Sequence, residues 1–150
     1  MAGTEPAADE VRSRISAYAL ARSGDRMLLT RLSEASPVFD PGLWHLPGGG
    51  IDAGEQPQAA LARELYEETG LELLHSRLVD ARTYTAYRRG VHWNLVALFY
   101  AVELAPGELT VRETGGSTAE VRWLPSAGPA DTELSPAAVD GRALMEGLPG

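Results

Sequence analysis

Three glutamates, Glu64, Glu67 and Glu68, follow a run of glycines, Gly48-Gly49-Gly50. Their i, i+3, i+4 spacing puts all three carboxylates on one face if the segment is helical. Like charges so placed repel by roughly a few tenths of a kcal/mol per pair, so the cluster calls for water or for a cation. Carboxylate and carbonyl oxygens are hard donors that suit Mg²⁺ or Mn²⁺. Backbone at a glycine can approach a ligand closely. Arg63, adjacent to Glu64, can order the cluster through its forked guanidinium, and Glu55 stands just ahead of the segment, where it can pair with it. By charge pattern alone the triplet also fits a solvated acidic face; the neighbouring glycines favour an oxygen-lined metal site.

The elements that must position these groups follow from local pattern. Pro57 to Thr69 reads as the clearest helix, with Pro57 in its first turn and Gly70 just past its end. Leu61, Ala62, Leu65, Tyr66 and Thr69 share one side of it, and the glutamates the other. Ile15–Ala21 and the run around Met27–Leu29 are apolar strands, and Ser23-Gly24-Asp25 between them predicts a hairpin. A loop with Pro37 and Pro41 leads to the short apolar stretch Leu43–Leu46. Leu78–Tyr84 and Trp93–Leu104 are further strands around a turn at Arg88-Arg89-Gly90, and the second is apolar enough to be central. Val121–Leu124 is another short strand. Ser135 caps a last helix that opens at Pro136 and ends near Gly147. Residues 1–12 read as a flexible polar tail and 13–150 as one domain. Strands and helices mix without strict βαβ alternation, which favours an α/β fold with a mixed sheet flanked by helices.

Composition narrows the classes. The chain has 150 residues, 44% hydrophobic and 23% charged, as expected of one globular domain. It holds no cysteine, so thiolate catalysis and Cys-ligated metals are excluded. All 13 basic residues are arginine, which excludes Schiff-base chemistry and a P-loop lysine. The formal charge of −8 disfavours a nucleic-acid polymer as partner, yet a divalent cation can bridge the protein to a small phosphorylated molecule. No apolar run reaches the ~20 residues of a membrane span. The acidic N-terminus lacks the order of a signal peptide, so a cytoplasmic, membrane-free protein is expected.

The stretch from Gly49 to Leu71 resembles the Nudix box of the Nudix (MutT-like) hydrolases. Gly49, Glu55, Arg63-Glu64-Leu65, Glu67-Glu68 and Gly70-Leu71 fall at its specified positions, and Leu46-Pro47-Gly48 resembles its usual lead-in. The resemblance implies a Nudix-type α/β/α sandwich with a mixed β-sheet, its box forming a loop–helix–loop. It implies a pyrophosphohydrolase that uses Mg²⁺, with Mn²⁺ as substitute, to split the diphosphate linkage of a nucleoside diphosphate linked to X. Such substrates are nucleoside triphosphates, dinucleoside polyphosphates, ADP-ribose and nucleotide sugars. Carried over by position, Glu64, Glu67, Glu68 and the Gly48 carbonyl are expected metal ligands, with Arg63 and Glu55 as the supporting pair among the catalytic residues. In this family the base comes from the box or from a later loop, which makes Glu113 and Glu120 further candidates.

Outside the box, Phe39 and Trp44 are the leading candidates for stacking on a base, with Tyr18, Tyr84, Tyr87 and Trp93 behind them. Arg82 and Arg88 lead the candidates for gripping phosphate, in a group with Arg77 and Arg89. His45 and His92 are candidate acid–base groups by their ordinary titration range. Tyr87 stands where many ADP-ribose pyrophosphatases carry a proline. A homodimer is compatible with the family. The alternative to an enzyme is a catalytically silent Nudix-fold module that senses a nucleotide; the complete set of box residues favours the enzyme.

Overall fold

The computed structural model describes residues 10–149. Two four-stranded sheets and two helices build the molecule. The strands are β1 (Glu10–Leu20), β2 (Arg22–Ser23), β3 (Arg26–Leu32), β4 (Trp44–His45), β5 (Gly48–Gly50), β6 (Leu73–Arg88), β7 (Val91–Leu104) and β8 (Thr118–Pro125). The helices are α1 (Pro57–Thr69) and α2 (Pro136–Glu146). The first sheet has the order β5-β1-β7-β6 and is mixed: β1 runs parallel to β7, and the other pairs are antiparallel. In the second, β3 pairs with β2 and β4 on one side and with β8 on the other.

The first sheet is covered on both faces, and its strands read accordingly. Leu95, Ala97 and Phe99 of β7 join Tyr18, Met27, Leu29 and Leu46 in the main core, where Ala137, Ala138 and Met145 close it from the α2 side. The opposite face carries Ala17, Ala19 and Tyr100, against which α1 packs Leu61 and Leu65. β7 is central, as its apolar run predicts, and a mixed sheet between helices is the expected fold. Among the described residues no helix is long and apolar enough to cross a membrane.

Three expectations change. β1 begins at Glu10, with Val11 opposite His92 and Arg12 opposite Trp93, so residues 10–12 belong to the sheet and not to a tail. The rest of that tail, 1–9, lies outside the described residues. The hairpin is smaller than the two apolar runs suggest. Arg22 and Ser23 turn back on Met27 and Arg26, with one further bond from the Leu28 N–H to the Ala21 carbonyl, and the ladder stops there because β1 is already paired with β5 and β7 and β3 enters the other sheet. β6 runs for 16 residues, well beyond Leu78–Tyr84, with register shifts at Leu73/His75 and Leu78/Asp80. It is an edge strand with a largely exposed, polar sequence, so hydrophobic alternation marks only its middle.

α1 spans the expected residues. Pro57 occupies its first turn, and Gly70 ends it in the left-handed region, where its N–H reaches the Tyr66 carbonyl. α2 starts behind Ser135, whose Oγ accepts from the Ala138 N–H at 3.1 Å. The β6–β7 turn places Arg89 and Gly90 at positive φ, the signature of a tight hairpin turn.

Candidate functional site

The site forms where α1 crosses the glycine strand β5. Gly48, Gly49 and Gly50 pair antiparallel with Tyr18, Ala17 and Ser16. A side chain on Gly49 would have its Cβ 2.7 Å from the Glu64 carboxyl carbon, so the bare backbone of β5 lies directly against that carboxylate. One turn further on, Glu68 is buried. Its Oε1 accepts from the Gly48 N–H at 2.7 Å and its Oε2 from the Thr118 hydroxyl at 2.8 Å. The glutamates therefore do not form a solvated face opposite the core. They point into the seam between α1, β5 and the start of β8.

Arg63 organises the outer end of the seam. Its Nε and Nη2 donate to the two Glu55 carboxylate oxygens, both at 2.9 Å, in a bidentate pair. Nη1 donates to Glu64 Oε1 at 2.9 Å, and Nη2 to the Gly50 carbonyl at 3.2 Å. Glu67 stands 3.6 Å away. One guanidinium thus ties the pre-helix loop, the glycine strand and the helix together. At the other end, the backbone N–H groups of Arg112 and Glu113 reach the Glu67 carbonyl at 2.7 and 3.2 Å. The Arg112 guanidinium lies 4.7 Å over the Tyr66 ring. This docking brings the Glu113 carboxyl against that of Glu67.

The electrostatics follow from crowding. Burial pushes the Glu68 carboxyl up to about 8; the Gly48 N–H pulls it back, while Glu64 and Glu113 add to the rise. Burial also raises Glu64, against the pull of Arg63. Glu67 is raised by desolvation and by Glu64 and Glu113. Glu55 goes the other way, down to about 2, because the Arg63 fork holds its charged form. Four carboxyls thus share a seam whose nearest cation is mainly occupied with Glu55. Among the described residues no three acidic or histidine groups already stand as a finished metal cage. Glu64 and Glu68 instead satisfy themselves on Arg63, Gly48 and Thr118. The donor set is all oxygen and short of cations, its carboxyls held back from ionising by burial and by one another, which fits a hard divalent ion that would draw them into the charged form.

The other candidates are placed as follows. Phe39 is buried, with its ring against His45 and Tyr84, and borders a cavity of about 30 Å³ that also touches Glu68. Trp44 lies opposite Arg31 in the second sheet and packs on the main core. Arg82 is engaged with Asp80 and Asp140. Arg88 donates to the Ser36 and Glu34 carbonyls and so pins the proline loop. Glu120 pairs with Arg31 and Arg122 rather than joining the seam. Tyr87 is exposed and stacks on His92. Thr118 and Arg14 were not singled out by sequence; neither lies in the box or carries a spacing signal. Arg14 comes from β1 and lies against Gly50, where an added Cβ would be 2.7 Å from its Nη2.

His45 is buried and touches no carboxylate of the seam by hydrogen bond. Its Nδ1 sits 2.6 Å from the Ser135 hydroxyl. Since that hydroxyl already accepts from Ala138, it is free to donate to Nδ1, which leaves the hydrogen on Nε2. Burial pushes the imidazole down to about 3, so it is neutral near pH 7. The unfolded chain therefore takes up a proton that the folded chain refuses. The His45 contribution to stability is complete above pH 6.5 and is lost as pH falls toward 3, at up to about 1.4 kcal/mol per pH unit. Thermal unfolding of wild type and His45→Gln between pH 7.5 and 4.5 should show wild type losing more stability than the variant on acidification. Parallel curves would contradict this.

A family description, NUDIX domain, matches residues 11–142. Among curated relatives, an RNA pyrophosphohydrolase of Agrobacterium fabrum is 44% identical over 59 residues, 38% of this chain and 34% of that protein. Nucleoside triphosphatase NudI of Escherichia coli is 36% identical over 81 residues, 50% of this chain and 57% of that one. The matched segment thus spans about a third to somewhat over half the length of these relatives. Among solved structures, a MutT NUDIX hydrolase from Burkholderia pseudomallei superposes with a TM-score of 0.73 at 26% identity, covering 89% of this chain and 98% of that one.

Proposed function

Since this chain belongs to the NUDIX domain family, we propose that it is a divalent-metal-dependent hydrolase of the diphosphate linkage in a nucleoside diphosphate linked to X. The observation that carries this reading is the seam itself. Glu64, Glu67, Glu68 and Glu113 crowd against glycine backbone, with Arg63 mainly held by Glu55. The names of relatives, RNA pyrophosphohydrolase and nucleoside triphosphatase, support cleavage of a pyrophosphate bond. The formal charge of −8 favours a small nucleotide over an RNA end.

Glu64, Glu67, Glu68 and the Gly48 carbonyl would hold the ion. A bound Mg²⁺ or Mn²⁺ would neutralise the diphosphate and acidify an attacking water. Arg63 fixes the Glu64 carboxylate, and Glu55 fixes Arg63, so the donors are set before substrate arrives. Glu68 is held on two sides, by Gly48 and Thr118. The water oxygen forms the new bond to phosphorus as the bridging P–O bond breaks, and the departing phosphate keeps the bond's electron pair. The water's proton goes to a carboxylate; Glu67 and Glu113, in contact with each other, are the two placed to share it.

The test is a panel of nucleoside triphosphates, dinucleoside polyphosphates, ADP-ribose, nucleotide sugars and 5′-triphosphorylated RNA. Phosphate release is read with Mg²⁺, with Mn²⁺ and with EDTA. Metal-dependent turnover of one small-nucleotide class is expected. Cleavage of the RNA end alone would replace the substrate class. No turnover, with a nucleotide raising the melting temperature, would move the chain to the sensing alternative.

A further inference from the structure

Thr118 reaches Glu68 through a break in strand register. β8 pairs with β3 so that Glu120 stands opposite Arg31 and Thr118 opposite Leu32, which leaves Ala119 as the extra residue of a bulge. Residues directly opposite in an antiparallel ladder share a face. Glu120 therefore lies on the side of Arg31, with which it pairs, and Thr118 on the side of buried Leu32. In an unbroken ladder Thr118 would share the Glu120 side, because residues i and i+2 of a strand face the same way. The bulge thus turns one hydroxyl inward. Thr118 and Glu68 are both buried, and the hydroxyl donates to Glu68 Oε2 at 2.8 Å.

This contact fixes what α1 leaves loose. A glutamate carboxylate turns easily about its last side-chain bond, whose torsion has broad minima. The Gly48 N–H holds Oε1 at 2.7 Å and so fixes one oxygen. A donor on the second oxygen fixes the plane. Each oxygen keeps a further lone pair, so an ion can share the carboxylate with both donors.

The approach to Thr118 is itself tied down. The Ser33 N–H donates to the Ser117 carbonyl at 2.8 Å, and Ser33 Oγ donates to the Gly116 carbonyl at 2.7 Å. The same Oγ accepts from the Ala35 N–H at 3.1 Å, and the Ser36 N–H closes on the Ser33 carbonyl at 3.1 Å. From the other side, Arg88 donates to the carbonyls of Glu34 and Ser36. The 33–36 turn is therefore linked to Glu68 by Ser33, the backbone of Gly116 and Ser117, and the Thr118 hydroxyl.

We propose that Thr118 is a positioning residue for the ion: it sets the plane of the Glu68 carboxylate, and Ser33 acts on metal affinity through it. This rests on the metal-dependent reading above and deepens it, because the grip on the ion then depends on where the 33–36 turn sits.

Mn²⁺ binding to the substrate-free chain is titrated by the electron paramagnetic resonance of the free ion, with Glu68→Gln as the reference for a lost ligand. Thr118→Val keeps the shape and removes the donor. It should weaken Mn²⁺ about tenfold or more, the usual cost of removing a group that orients a metal ligand. Thr118→Ser should recover most of that loss, and Thr118→Ala replaces the valine variant if valine prevents folding. Ser33→Ala should weaken Mn²⁺ about threefold alone, the scale of one hydrogen bond, and no further when added to Thr118→Val, since effects that run through one residue do not add. Melting in EDTA shows which variants are folded. Unchanged Mn²⁺ affinity in a folded Thr118→Val variant, no recovery in Thr118→Ser, or an equal Ser33→Ala loss in both backgrounds overturns the proposal; the hydrolase reading survives each of these if Glu68→Gln releases the ion. A wild type that holds Mn²⁺ no better than Glu68→Gln overturns the metal-dependent reading, and the positioning role with it.

Discussion

Glu68→Gln is expected to abolish nearly all turnover, by two or more orders of magnitude, while leaving the metal-free fold at least as stable as wild type. The loss follows from removing a charged oxygen donor from a site whose action rests on electrostatic preorganisation, where single groups are worth roughly 10²–10³ in rate. Stability responds for a separate reason. Glu68 is buried and crowded by Glu64 and Glu113, so its charge is unwelcome without a cation. Glutamine has the same shape and can keep both contacts. Its amide oxygen accepts from the Gly48 N–H, and its NH₂ donates to the Thr118 hydroxyl, which then serves as acceptor. Turnover is measured in Mg²⁺, and melting in EDTA. Wild-type turnover in the folded variant would remove Glu68 from the metal site. A clearly lower metal-free melting temperature would show that its charge is held by something other than a missing cation.

Gly48→Ala should have the largest effect on stability. Gly48 has φ of +133°, a region closed to alanine, and an added Cβ would overlap the Ala17 carbonyl oxygen and come within 2.8 Å of the Tyr18 Cα. Neither obstacle is a side chain that can rotate away. Both belong to β1, which is held along its length by β7 and by β5. Backbone strain and displacement together should cost about 4 kcal/mol or more, which lowers the melting temperature by roughly 8–16 °C in a domain of this size. Gly54→Ala is the control: its φ is +82°, but nothing lies within 4 Å of the new Cβ, so only the conformational cost, about 1 kcal/mol, applies. Similar losses in the two variants would mean that β5 is free to move away from β1.

Much of the site is legible in sequence because its determinants are local. Pro57, Gly70 and the leucine spacing delimit α1, and the helix carries Arg63, Glu64, Glu67 and Glu68 with it. Ser135 and Pro136 mark α2 in the same way. What escapes local reading is pairing. Nothing in the Ile15–Leu29 pattern says that β1 takes β5 and β7 as neighbours while β3 turns to β4 and β8. The same gap misplaced side chains. Helical spacing puts Glu68 opposite the core, but Gly48 and Thr118 come from distant chain and bury it. Arg82 and Arg88 have the right chemistry for phosphate, yet Asp140 and the Ser36 carbonyl take them up through tertiary contacts that no spacing reveals. Arg14 is the converse case: one arginine in a strand, without a motif, that becomes notable because it lies against Gly50 at the seam.

The most direct test of the central claim is the initial rate of diphosphate cleavage as a function of free Mg²⁺, from EDTA to saturation, on the best substrate of the panel. No turnover is expected in EDTA, with a saturable rise as Mg²⁺ is added and a flat, near-zero line for Glu68→Gln over the same range. A rate that persists undiminished in EDTA, or a Glu68→Gln curve that overlies wild type, would contradict the claim that the carboxylates of the α1–β5 seam hold the ion that makes this chain a hydrolase.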